Sequence, residues 1–210
     1  MILLTGASGG IGSAIINALS SIDSVIGIYN TTKPKSKYNK SVIFYKMNIE
    51  DPSDIKSFIK KYRKKLTNLT VIHCATSKVD GLAAQLKLSD WDSVMSVNLR
   101  ANFILTQALL PTMVSDKWGR IIHISSKGGV EGAPGTIAYS TSKTALIGMS
   151  NVLAQEYARF NISSNVLVLG IFETGLFLKL EETQKQKVLA QTSSRKVGSA
   201  TNIINAIKFI

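Results

Sequence analysis

The fold is decided by the stretch Ile2-Leu3-Leu4-Thr5-Gly6-Ala7-Ser8-Gly9-Gly10-Ile11-Gly12. It joins a short apolar run, typical of a buried strand, to a glycine-rich turn that leads into residues with helical periodicity. Glycine permits positive φ and has no Cβ, so backbone N–H groups in such a turn can approach a phosphate. The positive end of the following helix attracts the same anion. The stretch therefore predicts a nucleotide-binding βα unit.

The rest of the chain repeats this alternation of short apolar runs and longer segments of helical period. Nearly continuous apolar runs are typical of parallel strands that are buried on both faces. The pattern predicts an α/β fold, a doubly wound parallel β-sheet with helices on both faces (a Rossmann fold), in a single domain over residues 1–210. The predicted strands are 2–4, 25–29, 42–47, 71–75, 120–125 and 164–169; the predicted helices are 11–21, 52–66, 90–114 and 137–160, and a further helix begins at 201–210.

Composition narrows the class of protein. The 210 residues include a single cysteine, Cys74, so no internal disulfide can form. No apolar run reaches the roughly 18 residues of a membrane span. Only four residues precede Thr5, which leaves no room for a signal peptide. We expect a cytoplasmic protein with no membrane partner.

The formal net charge of +12 allows three interpretations. A basic surface can steer anionic cofactors and substrates, it can dock an acidic carrier protein, or it can bind nucleic acid. The lysines are scattered, five of them over 56–65, and no recognition motif accompanies them. We therefore favour the first interpretation, and we predict no nucleic-acid partner and no metal site.

An acid–base pair is predicted late in the chain. Tyr139 and Lys143 are four residues apart on a predicted helix, so their side chains share a face. A free phenol has a pKa near 10, and a neighbouring ammonium favours the phenolate that proton transfer requires. Ser126 closes a predicted strand, where its hydroxyl can polarise a substrate carbonyl. Each feature alone is common in structural roles; their order after the glycine turn predicts a catalytic site.

Together these motifs resemble the classical short-chain dehydrogenase/reductases, over nearly all of residues 2–209. The run 119–122 before Ser126 and the turn 171–174 make the chain most similar to the 3-oxoacyl-[acyl-carrier-protein] reductases. The resemblance implies an NADPH-dependent carbonyl reductase that takes hydride from the nicotinamide and a proton from Tyr139. It also implies that Ser126 holds the substrate oxygen, that Lys143 bonds the nicotinamide ribose, and that Asn98 holds a water between Lys143 and solvent.

The same resemblance places the cofactor along the ends of several strands. The turn after the second predicted strand has no acid for the ribose 2′-hydroxyl of NAD, whereas Lys33 and Lys35 suit a 2′-phosphate. NADP(H) is therefore predicted rather than NAD(H), although these lysines could also form an ordinary solvated loop. The predicted cofactor-binding residues are Gly6, Ala7, Ser8, Gly9, Gly10, Ile11, Gly12, Asn30, Thr31, Thr32, Lys33, Asn48, Ile49, Cys74, Ala75, Thr76, Tyr139, Lys143, Gly170, Ile171 and Thr174.

Some features depart from the family pattern. His73-Cys74-Ala75-Thr76 stands where Asn-Asn-Ala-Gly is usual, and we interpret His73, like His123, as a core histidine. Cys74 is interpreted as a small buried apolar residue. From the resemblance we expect the last strand and the glycine-rich segment of the family to be missing, either because that strand is dispensable or because the chain is a truncated product.

Partners and rival functions remain open at this stage. The resemblance implies a substrate lid over about 175–195, and a homodimer or homotetramer built from the helices 90–114 and 137–160. Lys117 and Arg159 could meet an acidic acyl carrier protein. Two alternatives stand beside the reductase: an NAD(P)-dependent dehydrogenase of a sugar or small alcohol, and a cofactor-binding, catalytically weak assembly protein.

Overall fold

A six-stranded parallel sheet forms the centre of the computed structural model, which describes residues 1–34, 38–178, 180–190 and 192–210. The strand order β3-β2-β1-β4-β5-β6 is that of a doubly wound sheet, with the chain crossing from one half to the other between β3 and β4. The predicted fold is confirmed. The strands are β1 (Ile2–Leu4), β2 (Val25–Tyr29), β3 (Val42–Lys46), β4 (Leu69–His73), β5 (Gly119–Ser126) and β6 (Ile162–Leu169).

Helices cover both faces because alternate strand residues point to opposite sides. Leu3 packs with the helices α2 (Pro52–Tyr62), α4 (Ala101–Asp116) and α6 (Ile137–Tyr157). Its neighbours Ile2 and Leu4 pack with α1 (Gly10–Leu19) and α9 (Ala200–Phe209). Each face thus has an apolar core, and the carboxyl ends of the strands are left for the site.

Several predicted elements begin or end one to four residues away from the observed bounds; the strand predicted over 71–75, for example, is β4 at Leu69–His73. Larger differences occur in three places. The helix predicted over 90–114 is divided into α3 (Leu88–Met95), one π-helical turn (Ser96–Arg100) and α4. A short helix that was not predicted, α5 (Lys127–Glu131), follows β5 directly, and a 3₁₀ turn (Ala158–Phe160) ends α6. The predicted lid contains α7 (Gly175–Leu178) and α8 (Glu182–Ala190), while its residues 179 and 191 lie outside the described residues. In the part of the chain that is described, every helix is too short or too polar to cross a bilayer.

Candidate active site

A cleft of about 770 Å³ runs along the carboxyl ends of the strands. The glycine turn, the loops after β2, β3 and β4, Tyr139 of α6 and the segment 170–177 form its walls. Most of the predicted cofactor-binding residues line it. Ala7 and Lys143 are buried behind the walls, Lys33 is exposed outside them, and Lys35 lies outside the described residues. The lining residues that sequence reasoning missed are Ile28, Tyr29, Met47, Glu50, Ser77, Val97, Phe172, Gly175 and Phe177.

The glycine turn has room for backbone only. Gly6 adopts a φ of +66°, and a Cβ there would lie 2.7 Å from the Cα of Ala75. A Cβ on Gly12 would lie 2.2 Å from the carbonyl oxygen of Gly6. Side chains at these positions would displace the turn, whereas glycine leaves its N–H groups open to an anion at the start of α1. The turn and the cleft therefore fit the pyrophosphate of a dinucleotide.

Thr5 ties this turn to the opposite wall of the cleft. Its side chain is fully buried, and its hydroxyl oxygen accepts hydrogen bonds from the backbone N–H groups of Cys74 (3.0 Å) and Ala75 (3.1 Å). The sequence did not predict this role of Thr5, because the role depends on β1 and β4 being neighbours in the sheet. Thr5 thereby fixes the spacing between the phosphate turn and the segment after β4.

The unpredicted helix α5 holds Ser126 in place beside α6. Ser126 is the last residue of β5, and the chain enters α5 immediately after it. The hydroxyls of Ser140 and Thr144 on α6 donate to the carbonyl oxygens of Gly128 (2.9 Å) and Gly129 (2.6 Å). The two helices α5 and α6 lie so close together that a Cβ on Gly129 would lie 2.5 Å from the Cβ of Lys143. The structure therefore joins Ser126 to the helix that carries Tyr139 and Lys143.

Tyr139 and Lys143 form the centre of the candidate site. Tyr139 is half-buried and lines the cleft, while Lys143 is 3% exposed. The ammonium of Lys143 lies 5.8 Å from the centroid of the Tyr139 ring and donates a hydrogen bond of 2.8 Å to the carbonyl oxygen of Ile124. Burial lowers the pKa of Lys143 to about 8, and the nearby thiol of Cys74 partly opposes that shift. Lys143 therefore keeps its charge at neutral pH.

Asn98 lies behind the cleft, and its side-chain amide makes four hydrogen bonds, all with other protein groups. Its amide oxygen accepts from the N–H of Ser77 (2.7 Å) and the hydroxyl of Thr76 (3.2 Å). Its amide nitrogen donates to the carbonyl oxygen of Ser77 (2.8 Å) and to the hydroxyl of Ser142 (2.9 Å). A water held by Asn98 would have to use its backbone oxygen, which already accepts from Asn102 at 2.9 Å.

The two histidines are buried in the core, as predicted. His73 and His123 occupy paired positions on β4 and β5, and their rings stack with centroids 4.9 Å apart. His73 shares a hydrogen bond of 2.8 Å with the hydroxyl of Thr106. Burial lowers the pKa of both imidazoles, that of His123 to about 4, and the charge of Lys143 acts in the same direction. Both rings are therefore neutral at pH 7.

Lys117 and Arg159, the predicted contacts of a carrier protein, lie away from the cleft. Lys117 precedes β5 and Arg159 precedes β6, so both stand at the amino ends of their strands, whereas Ser126 stands at the carboxyl end. That this pair meets an acidic carrier protein stays a prediction; such a contact would lie at the end of the sheet opposite Ser126.

Comparisons with known proteins agree with this geometry. The family model for "short chain dehydrogenase" matches residues 1–185. "Nodulation protein G" of Rhizobium sp. (strain N33) is 34% identical, and "3-oxoacyl-[acyl-carrier-protein] reductase FabG" of Rickettsia bellii is 35% identical; both alignments cover 99% of this chain and 87% of the relative. A solved structure described as "ElxO with NADP Bound" has the same fold, with a TM-score of 0.89 at 24% identity, covering 99% of this chain and 89% of that one. The chain belongs to the short-chain dehydrogenase family and is an NAD(P)-dependent oxidoreductase.

Proposed function

We propose that the protein is an NADPH-dependent carbonyl reductase that acts on 3-oxoacyl thioesters. The observation that carries the proposal is the placement of Tyr139 in the wall of a dinucleotide-sized cleft, with the ammonium of Lys143 5.8 Å from its ring. Among the most similar relatives, those of Rickettsia typhi and Rickettsia bellii are named 3-oxoacyl-[acyl-carrier-protein] reductases, at 33% and 35% identity. These names support the substrate class.

Each site residue has a distinct part in the proposed reaction. Tyr139 donates the proton to the carbonyl oxygen as that oxygen gains negative charge. Lys143 favours the phenolate that remains, because its charge lies beside the ring. Ser126 bonds the same carbonyl oxygen and orients it. When bound, the reduced nicotinamide supplies the hydride. The buried hydrogen bonds of Asn98 keep the wall of the cleft at a fixed distance from α6.

We also propose NADP(H) rather than NAD(H) as the cofactor. The loop after β2 presents Asn30, Thr31 and Thr32 to the cleft, with Lys33 exposed beside them. Hydroxyls and an ammonium suit a 2′-phosphate, whereas an NAD site usually has a carboxylate for the ribose hydroxyls at this position. Introducing that carboxylate with Thr31→Asp should weaken NADPH binding and strengthen NADH binding. Titrating both cofactors against the two proteins by nicotinamide fluorescence tests this choice.

The activity is tested by following NADPH oxidation with acetoacetyl and longer 3-oxoacyl thioesters, with NADH in parallel. The expected result is turnover with NADPH that Tyr139→Phe abolishes while NADPH affinity is kept. Turnover of sugars or small alcohols but not of thioesters would instead identify a dehydrogenase of those substrates. NADPH binding with no turnover of any carbonyl compound would identify a cofactor-binding assembly protein.

Assembly and location are proposed with the function. We propose a homodimer or homotetramer, because α4 and α6 present apolar side chains to solvent; Phe103 is 47% exposed and Val152 is 52% exposed. Light scattering of the purified protein, compared with a Phe103→Glu variant, tests this assembly. A contact of the basic surface with an acidic acyl carrier protein, and the cytoplasmic location, stay predictions.

A further inference from the structure

Lys78 stands on a loop that is fixed at both ends beside Tyr139. On one side, Asn98 bonds both the N–H and the carbonyl oxygen of Ser77. On the other side, the N–H of Gly81 donates to the carbonyl oxygen of Gly135 at 2.8 Å, just before α6 begins. The position of the Lys78 backbone relative to the first turn of α6 is therefore set by buried and backbone hydrogen bonds.

The ammonium of Lys78 is a second cation at the Tyr139 ring. It lies 5.9 Å from the ring centroid, nearly the distance of Lys143. Lys143 is buried, but the side chain of Lys78 is 41% exposed and reaches the ring from a position next to Ser77, which lines the cleft. Two positive charges therefore lie at similar distances from one phenol ring, and the ammonium of Lys78 is the one exposed to a ligand.

Lys78 forms an exposed ion pair with Asp80, and this pair still allows its ammonium to bind a ligand. Its ammonium pairs with Asp80 at 3.0 Å, and the side chain of Asp80 is 61% exposed. Exposed ion pairs contribute only about 0–1 kcal/mol, so the pair is readily exchanged. An ammonium has three N–H donors, and one bond to Asp80 leaves two for an acceptor in the cleft.

We propose that Lys78 is a specificity-determining residue that bonds a second carbonyl oxygen of the substrate. This inference rests on the proposed function, because the reacting carbonyl oxygen is assigned to Tyr139. In a 3-oxoacyl thioester, the thioester oxygen is two carbons from the reacting carbonyl, and a donor beside the same phenol suits it. A hydrogen bond to a charged donor is about twice as strong as a neutral one. The site would therefore select 1,3-dicarbonyl compounds over simple ketones.

The test compares Lys78→Met with the wild-type protein on acetoacetyl-N-acetylcysteamine and on 2-pentanone, which lacks the second carbonyl. Loss of a charged hydrogen bond predicts a rise in KM for the thioester of about tenfold or more with little change in kcat, and no change for the ketone. Lys61→Met is the matched control, since Lys61 is also exposed and its ammonium lies 5.0 Å from the centroid of an aromatic ring, that of Tyr45, but on α2 outside the cleft. It should behave as wild type with both substrates. Equal losses on both substrates, or no loss, would overturn the proposal.

A binding measurement separates this proposal from the proposed function. Acetylacetone and 2-pentanone are titrated calorimetrically into the NADP⁺-loaded protein, where no turnover is needed. The proposal expects acetylacetone to bind more tightly than 2-pentanone to the wild type and to lose that advantage in Lys78→Met. Equal affinities in the wild type would overturn it. If the preference is present but thioesters are not reduced, the substrate proposal fails and the assignment of Lys78 stands.

Discussion

The stacked imidazoles of His73 and His123 should make the protein sensitive to mild acid. Both rings are buried and neutral, and burial lowers the pKa of each. In the unfolded chain a histidine takes up its proton near pH 6.5. As the pH falls below that value, protons bind the unfolded chain but not the folded one, so the free energy of unfolding decreases. Stability is fully present above about pH 6.5 and is lost progressively toward the folded-state pKa.

The size of the loss follows from the pKa of His123, which is lowered to about 4. Linkage between an unfolded pKa of about 6.5 and this folded value gives a loss of about 2 kcal/mol between pH 7 and pH 5. His73 acts in the same direction in the same range, because its pKa is also lowered. The carboxylates whose pKa is lowered, Asp23 and Asp51, lose their stabilising effect only below the range compared here.

Urea denaturation followed by tryptophan fluorescence at pH 7 and pH 5 measures this difference. We expect His123→Leu, which fills the same apolar site without a titratable group, to lose about 2 kcal/mol less than the wild type between the two pH values. Comparing pH dependence within each protein removes any effect of the substitution on packing. If the two proteins lost the same free energy over this range, the assignment of His123 as a buried neutral imidazole would be refuted.

Further predictions concern the turn, the buried amide and the lysine. Gly12→Ala would place a Cβ 2.2 Å from the Gly6 oxygen and should abolish NADPH binding in a fluorescence titration; Gly148→Ala, with nothing within 4 Å, should bind normally and be about 0.5–1 kcal/mol more stable. Asn98→Leu removes four hydrogen bonds and should lower the free energy of unfolding in urea by about 3 kcal/mol or more. Because the pKa of Lys143 is about 8, kcat measured against pH should fall above that value as the ammonium loses its proton.

The order and type of most elements could be predicted because each strand is a short apolar run between turn residues. The sequence did not predict α5 or the π-helical turn, and α5 depends on tertiary contacts. Residues 127–131 contain Gly128 and Gly129, which are poor helix formers, so their sequence gave no sign of α5. Their helix is held by hydroxyls of Ser140 and Thr144, more than ten residues away. The π-helical turn at Ser96–Arg100 was not predicted, because one extra residue in a helical turn changes the hydrophobic periodicity too little to be recognised.

In the site, too, the identity of residues could be predicted from the sequence, whereas their contacts with distant parts of the chain could not. The glycine turn, Tyr139 and Lys143 could be predicted because their spacing along one element determines which side chains or N–H groups act together. The side-chain partners of Asn98 lie 21, 22 and 44 positions away, so no spacing rule predicts them. Yet those contacts join the loop that carries Lys78 to the helix that carries Tyr139. The side-chain amide of Asn98 bonds both the loop and the helix, so the distance between Lys78, the proposed selector of substrates, and the proposed acid–base pair of Tyr139 and Lys143 depends on it. Loosening Asn98 should therefore disturb selection between substrates as well as stability.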